Sequence, residues 1–132
     1  MGERDFVSVN CALNEKTRGL MGAKQFALMK PTSVFVNTAR GPIVDQVALT
    51  DVLKSRRIAA AGLDVYPEEP IRQGDPLLTL DNVVLLPHIG SAAIEMRRKM
   101  AITVAEDVVN VLTGKKPTYL LNPRVLQVRP LS

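Results

Sequence analysis

Four short apolar runs, each too short for a helix, constrain this chain more than any other feature. They are Phe6-Val7-Ser8-Val9, Val34-Phe35-Val36 within Ser33 to Thr38, Ile58 to Val65 with its small Ala59-Ala60-Ala61-Gly62 step, and Val83-Val84-Leu85-Leu86. An apolar run of this length bounded by turn residues reads as a strand covered on both faces. Helical patterns separate the first three. Met21 to Lys30 is one, stopping before Pro31 because the residue ahead of a proline disfavours helical angles. Gln46 to Ser55 is the other, with Asp45 as N-cap and Val47, Leu49, Val52 and Leu53 as its apolar stripe. Strands alternating with helices predict an α/β fold with a mostly parallel sheet and right-handed crossovers.

Beyond the fourth run the chain changes character. Pro87-His88-Ile89-Gly90-Ser91 leads into a long helical pattern that starts at Ser91 or Ala92 and reaches about Leu112. Ala93, Met96, Met100, Val104, Val108 and Leu112 recur there at steps of three or four, which places them on one face, and Gly114 is the expected C-cap. Lys115 to Ser132 contains Pro117, Pro123 and Pro130 and is expected to be an extended tail. Cys11 to Arg18 reads as polar loop, and Tyr66 to Pro76 as a loop rich in proline and acid. Leu77 to Leu80 reads as one tight turn. The expected organisation is one domain over residues 1–115 and a tail over 116–132. A strand that begins almost at the first residue makes that domain look incomplete.

The composition, 46% hydrophobic and 23% charged over 132 residues, is that of an ordinary globular domain. The net charge of +4 is scattered; Lys54-Ser55-Arg56-Arg57 and Arg97-Arg98-Lys99 adjoin or lie within helical patterns and read as solvated surface. With only 4% aromatic residues, stacking on nucleic-acid bases is disfavoured. The single cysteine, Cys11, excludes an internal disulfide and a multi-cysteine zinc site. One histidine and no carboxylate cluster argue against a metal site. No run approaches the roughly 18 apolar residues of a membrane span. The expected setting is cytoplasmic, with neither membrane nor nucleic acid as partner.

Polar or ionisable residues stand at or just past the end of each strand: Asn10, Arg40, Asp64 and His88. In open α/β sheets ligands bind in the crevice beyond the carboxyl ends of the strands, so these residues should converge. Each also has a bland reading. His88 is either a satisfied strand-end histidine or a proton donor working near neutral pH. Arg40 is either a turn arginine or a bidentate clamp for a carboxylate. Asp64 is a strand-end cap or a ligand for a cofactor. Glu68 and Glu69, in Pro67-Glu68-Glu69-Pro70, are solvated acids unless one reaches His88 and holds it protonated. Without an obvious serine or cysteine nucleophile, the set suggests proton transfer and electrostatics rather than covalent catalysis.

Four co-linear segments resemble the D-isomer-specific 2-hydroxyacid dehydrogenases over roughly residues 5–115. They are Asp5 to Val9, Val36-Asn37-Thr38-Ala39-Arg40-Gly41-Pro42-Ile43-Val44-Asp45, Ala61-Gly62-Leu63-Asp64-Val65-Tyr66-Pro67-Glu68-Glu69-Pro70 and Leu86-Pro87-His88-Ile89-Gly90-Ser91-Ala92. The Gly-Ser-Ala after the histidine, with Arg97-Arg98-Lys99-Met100, looks closest to glyoxylate and hydroxypyruvate reductases. The resemblance implies a Rossmann-like doubly wound sheet, of which this chain would be the C-terminal half plus a tail. It implies hydride transfer from NADPH or NADH to a small 2-oxo acid, with His88 as proton donor, Glu69 as its partner and Arg40 on the substrate carboxylate. Ala12, Thr38, Asp64 and Gly90 would line the cofactor, and subunits would pair as homodimers through the nucleotide-binding domain. Two departures are Asn10, where many members have histidine, and Ala12, where they have proline. The larger one is that no G-x-G-x-x-G turn, the usual pyrophosphate cradle, occurs among the eight glycines. The chain alone is therefore expected to be nearly inactive; the alternative is a non-enzymatic interaction or dimerisation module.

Overall fold

A computed structural model describes residues 3–130. The chain forms two compact units, Met1–Gly90 and Ser91–Ser132. The boundary expected at residues 115–116 lies inside the second.

In the first unit the elements run β1 (Phe6–Val9), α1 (Ala23–Ala27), β2 (Val34–Asn37), α2 (Gln46–Lys54), β3 (Ala60–Leu63) and β4 (Val83–Leu85). Short 3-10 turns cover Gly41–Ile43 and Pro76–Thr79. The strands form one parallel sheet in the order β1-β2-β3-β4, a Rossmann-like α/β arrangement. Asp45 caps α2 as expected, its Oδ1 accepting from the Ala48 N–H at 3.1 Å. The first helix is shorter than the Met21–Lys30 pattern. The turn after it is instead tied by Ser33, whose Oγ accepts from Lys30 N–H and donates to the Arg4 carbonyl.

Register sorts the strand residues onto two faces. Val7, Phe35, Ala61 and Val83 share one row, and Val9, Asn37, Leu63 and Leu85 the next on the same face. This face carries the core. Phe26 of α1 meets Phe35 edge-on at 5.2 Å, and Leu49, Leu53, Ile58 and Leu77 are fully buried with them. The opposite face holds Phe6, Ser8, Val34, Val36, Ala60, Gly62 and Val84. Here the expectation of strands covered on both faces fails, with Phe6 73% and Val84 64% exposed. Two right-handed crossovers stepping in one direction across a sheet place both helices on one face. α1 and α2 do this, and the other face receives neither.

The second unit is built on α3 (Ile94–Leu112), none of whose residues is buried. Ser91 to Ala93 precede it rather than opening it. Gly114 follows its end in the left-handed conformation, φ +74°, as the C-cap reading expected. The tail is not simply extended. Asp107 accepts from the Thr118 and Tyr119 N–H groups at 2.6 and 3.0 Å, folding the chain back, and α4 (Val125–Val128) adds one turn. Pro123 stands at the entrance of that turn, where its fixed φ suits a helix and its missing N–H costs nothing.

Candidate active site

Parallel strands end at one edge of the sheet, so the loops after β1, β2, β3 and β4 share that edge. It carries Ala12, then Thr38 and Arg40, then Asp64 and Glu69, then His88 and Gly90.

Asn37, the last residue of β2, occupies a core-facing register position and is fully buried. Its Oδ1 accepts from Ala39 N–H and its Nδ2 donates to the Arg40 carbonyl, each at 3.1 Å, so its amide is satisfied by the turn it creates. That turn projects Thr38 and Arg40 outward, both exposed, with the Arg40 guanidinium donating to the Ala39 carbonyl at 2.6 Å. Gly41 then presses against the next loop. A Cβ there would lie 1.8 Å from the Tyr66 carbonyl carbon, so only glycine permits the contact.

The loop after β3 holds the acid. Glu69 Oε1 accepts from the Tyr66 N–H at 3.0 Å, and Oε2 lies 2.6 Å from His88 Nδ1. The hydrogen bond from His88, then that from Tyr66 N–H, holds the Glu69 carboxyl below the usual carboxylate range. An ionised carboxylate only accepts, so His88 Nδ1 carries the proton between them. Glu68 points elsewhere and pairs with Arg72.

His88 has φ +56°, the left-handed region, which for a residue with a Cβ costs on the order of 1 kcal/mol. Side chains from just past β3 bond to the backbone of the loop that carries it. Asp64, only 3% exposed, accepts from Ile89 N–H at 2.8 Å and Gly90 N–H at 2.9 Å. The Tyr66 hydroxyl donates to the Leu86 carbonyl at 2.9 Å. Burial, the larger influence, pushes that phenol above its ordinary pKa, so it remains a donor through neutral pH. Beside the Glu69–His88 pair opens an apolar cleft of about 530 Å³, walled by Tyr66, Ile71, Leu78 and Leu86.

The structure thus brings Glu69 to His88 and Asp64 to Gly90, and sets Ala12, Thr38 and Arg40 along the same edge. The Ala12 carbonyl accepts from Thr17 Oγ1 at 2.8 Å. Sequence reasoning missed Asn37, Gly41 and Tyr66. Asn37 carried a signal, a polar residue in step with Phe35 on a buried strand; the other two depend on contacts across the fold. Among the described residues no cluster of three or more His, Cys, Asp or Glu side chains could hold a metal ion, and no helix is long and apolar enough to cross a membrane.

Comparison with known proteins identifies the family. Residues 1–90 match the family model described as D-isomer specific 2-hydroxyacid dehydrogenase, NAD binding domain. A glyoxylate reductase of Korarchaeum cryptofilum is 49% identical over 128 residues, covering 97% of this chain and 39% of its own length. The crystal structure of the TT0316 protein from Thermus thermophilus superposes with a TM-score of 0.87 at 38% identity, covering 91% of this chain and 38% of that one. A D-isomer specific 2-hydroxyacid dehydrogenase from Xanthobacter autotrophicus Py2, in complex with NADPH and MES, gives 0.73 at 39% identity, over 92% of this chain and 49% of that one. The chain spans about 39% of the length of the glyoxylate reductase it matches. With residues 1–90, about two-thirds of the chain, matching the family's NAD-binding domain, this chain belongs to the D-isomer specific 2-hydroxyacid dehydrogenases.

Proposed function

We propose that this chain contributes the proton-donating side of an NADPH- or NADH-dependent reduction of a small 2-oxo acid, glyoxylate or hydroxypyruvate, to the D-2-hydroxy acid. The observation that carries the reading is the 2.6 Å contact between His88 Nδ1 and Glu69 Oε2. It leaves Nε2 as the nitrogen that can face a substrate. Transfer of the Nε2 proton to the carbonyl oxygen leaves a neutral ring whose Nδ1–H stays on Glu69, so the acid restores the same tautomer each turnover. Arg40 would bind the substrate carboxylate and polarise its carbonyl, which a planar guanidinium does bidentately. Reduced nicotinamide, when bound, supplies the hydride to the carbonyl carbon. Ala12, Thr38 and Gly90 fit the flat nicotinamide end, being small and exposed along one sheet edge. The sequence holds no G-x-G-x-x-G turn for the pyrophosphate among its eight glycines.

The test is a chimera. Residues 5–115 replace the matching segment of the Korarchaeum glyoxylate reductase, and glyoxylate-dependent oxidation of NADPH and NADH is followed. An active chimera that loses about 10²-fold or more in kcat on His88→Asn supports the reading, since positioned acid catalysis is worth about 10²–10⁴-fold. An active chimera indifferent to that substitution refutes it.

A second reading is a non-enzymatic pairing module, with homodimers as its simplest form. The observation favouring it is α3, on which Ile94, Met100, Val104 and Leu112 are all exposed. Light scattering of the purified chain decides it: concentration-dependent dimers support pairing, and a monomer across the range rejects it.

A further inference from the structure

We propose that Asp64 and Tyr66 are positioning residues for His88, gripping the loop on both sides of it so that the imidazole faces Glu69. The proposal rests on the reading of His88 as the proton donor and adds how that donor is aimed. It assigns Asp64 a different task from the cofactor-lining one implied by the family resemblance.

The grip is made of four hydrogen bonds from one strand end to another. Leu86 N–H donates to the Leu63 carbonyl at 2.8 Å, continuing the sheet for one residue beyond β4. The Tyr66 hydroxyl then takes the Leu86 carbonyl, two residues ahead of His88. Asp64 takes the N–H groups of Ile89 and Gly90, the two residues after it. Pro87 and His88 lie between these holds, and His88 alone in the loop has a left-handed φ without being glycine. A left-handed residue points successive N–H groups to one side, and a carboxylate there receives both. Asp64 is buried and, among the described residues, its carboxylate accepts from these two N–H groups alone, so the interaction that satisfies it is the one that sets the loop. The same Tyr66 that holds Leu86 by its hydroxyl holds Glu69 by its backbone N–H. Donor and partner are therefore referenced to one residue.

Gly90 completes the fit. A Cβ there would come within 3.2 Å of Asp64 Oδ2, so the carboxylate occupies the space a side chain would use.

Asp64→Asn is the sharp test because it keeps the shape and removes the chemistry. Both groups facing the side chain are donors, and an amide puts one acceptor oxygen and one NH2 where the carboxylate has two oxygens, so one backbone N–H loses its partner. The chain has a single histidine, so ¹⁵N-histidine labelling gives one imidazole to follow without cofactor or substrate. In the wild-type chain the Nδ1–H proton should be observed and slow to exchange, and the one-bond Cα–Hα coupling of His88 should report positive φ. In Asp64→Asn that proton should exchange at least about tenfold faster and the coupling should move to the negative-φ value, while amide resonances of β2 and α2 stay in place. Tyr66→Phe should change both in the same direction and by less. Unchanged Nδ1–H exchange in a folded Asp64→Asn chain overturns the proposal. Should that variant not fold, Tyr66→Phe decides alone, and an unaltered His88 signal there overturns it. A failed reductase reading would appear separately, as a chimera indifferent to His88 with these signals intact.

Discussion

Gly41→Ala should damage this fold more than any other single methyl added to a glycine whose surroundings are described above. The new carbon would lie 1.8 Å from the Tyr66 carbonyl carbon, 2.1 Å from its oxygen and 2.3 Å from Pro67 N. Carbon atoms rest at about 3.5–4.0 Å, so the two loops must part by roughly 1.5–2 Å. Every atom in the way is backbone, and none can rotate aside. Overpacking of a well-packed site costs about 1–3 kcal/mol, and with rigid partners on both sides the upper figure of about 3 kcal/mol applies. For a unit of this size 1 kcal/mol corresponds to about 4–8 °C, so the melting temperature should fall by about 12–24 °C. Gly62→Ala in β3 is the internal control. Nothing lies within 4 Å of a Cβ there, and alanine loses less chain entropy on folding, so that variant should be neutral or more stable by up to about 1 kcal/mol. Thermal and urea unfolding of the three proteins, followed by circular dichroism, gives the answer. A Gly41→Ala chain within about 0.5 kcal/mol of wild type would refute the claim that the Arg40 loop is seated on the Tyr66–Pro67 backbone.

Two further outcomes follow from the site. Glu69 has a folded-state pKa below its ordinary value near 4.5, so the stability it confers is present above that pH and is lost as pH falls through the lower, folded value. The urea-midpoint gap between wild type and Glu69→Gln should accordingly be open at neutral pH and close on acidification below about 4.5; a gap constant down to about pH 3 would refute the pairing. The purified 132-residue chain, which has no glycine-rich phosphate turn, should oxidise NADPH with glyoxylate no faster than buffer; turnover abolished by His88→Ala would overturn that expectation.

The sheet was legible because apolar runs of strand length separated by helical periods leave few alternatives. Phe35 and Ala61 mark the strands that were expected, and they pair as neighbours. What escaped was which face would be covered, because Val84 reads the same in a buried strand as on an open face. That depends on the order in which strands pair. The choice between Glu68 and Glu69 was also open on the residues alone. Neighbouring side chains point apart, and here one meets Arg72 and the other His88. Tyr66 looked like one more loop residue; its hydroxyl finds Leu86 twenty positions later, a distance no local pattern encodes. The α4 turn was missed for a local reason, Pro123 being read as a breaker when it stands at a helix entrance.

The short fourth strand has a consequence for when the site exists. β4 is three residues long and, among the described residues, pairs only with β3. Such margins open transiently at a free energy below that of the whole fold, while the interior strands remain closed. His88 hangs from this margin and Glu69 from the β3 side. An excursion of Val83–Leu85 that also frees Leu86 from Leu63 and Tyr66 therefore loosens the loop that aims His88 at Glu69. Amide hydrogen exchange at Leu86 would count those excursions, and their frequency sets an upper bound on the fraction of time for which the proton donor is assembled.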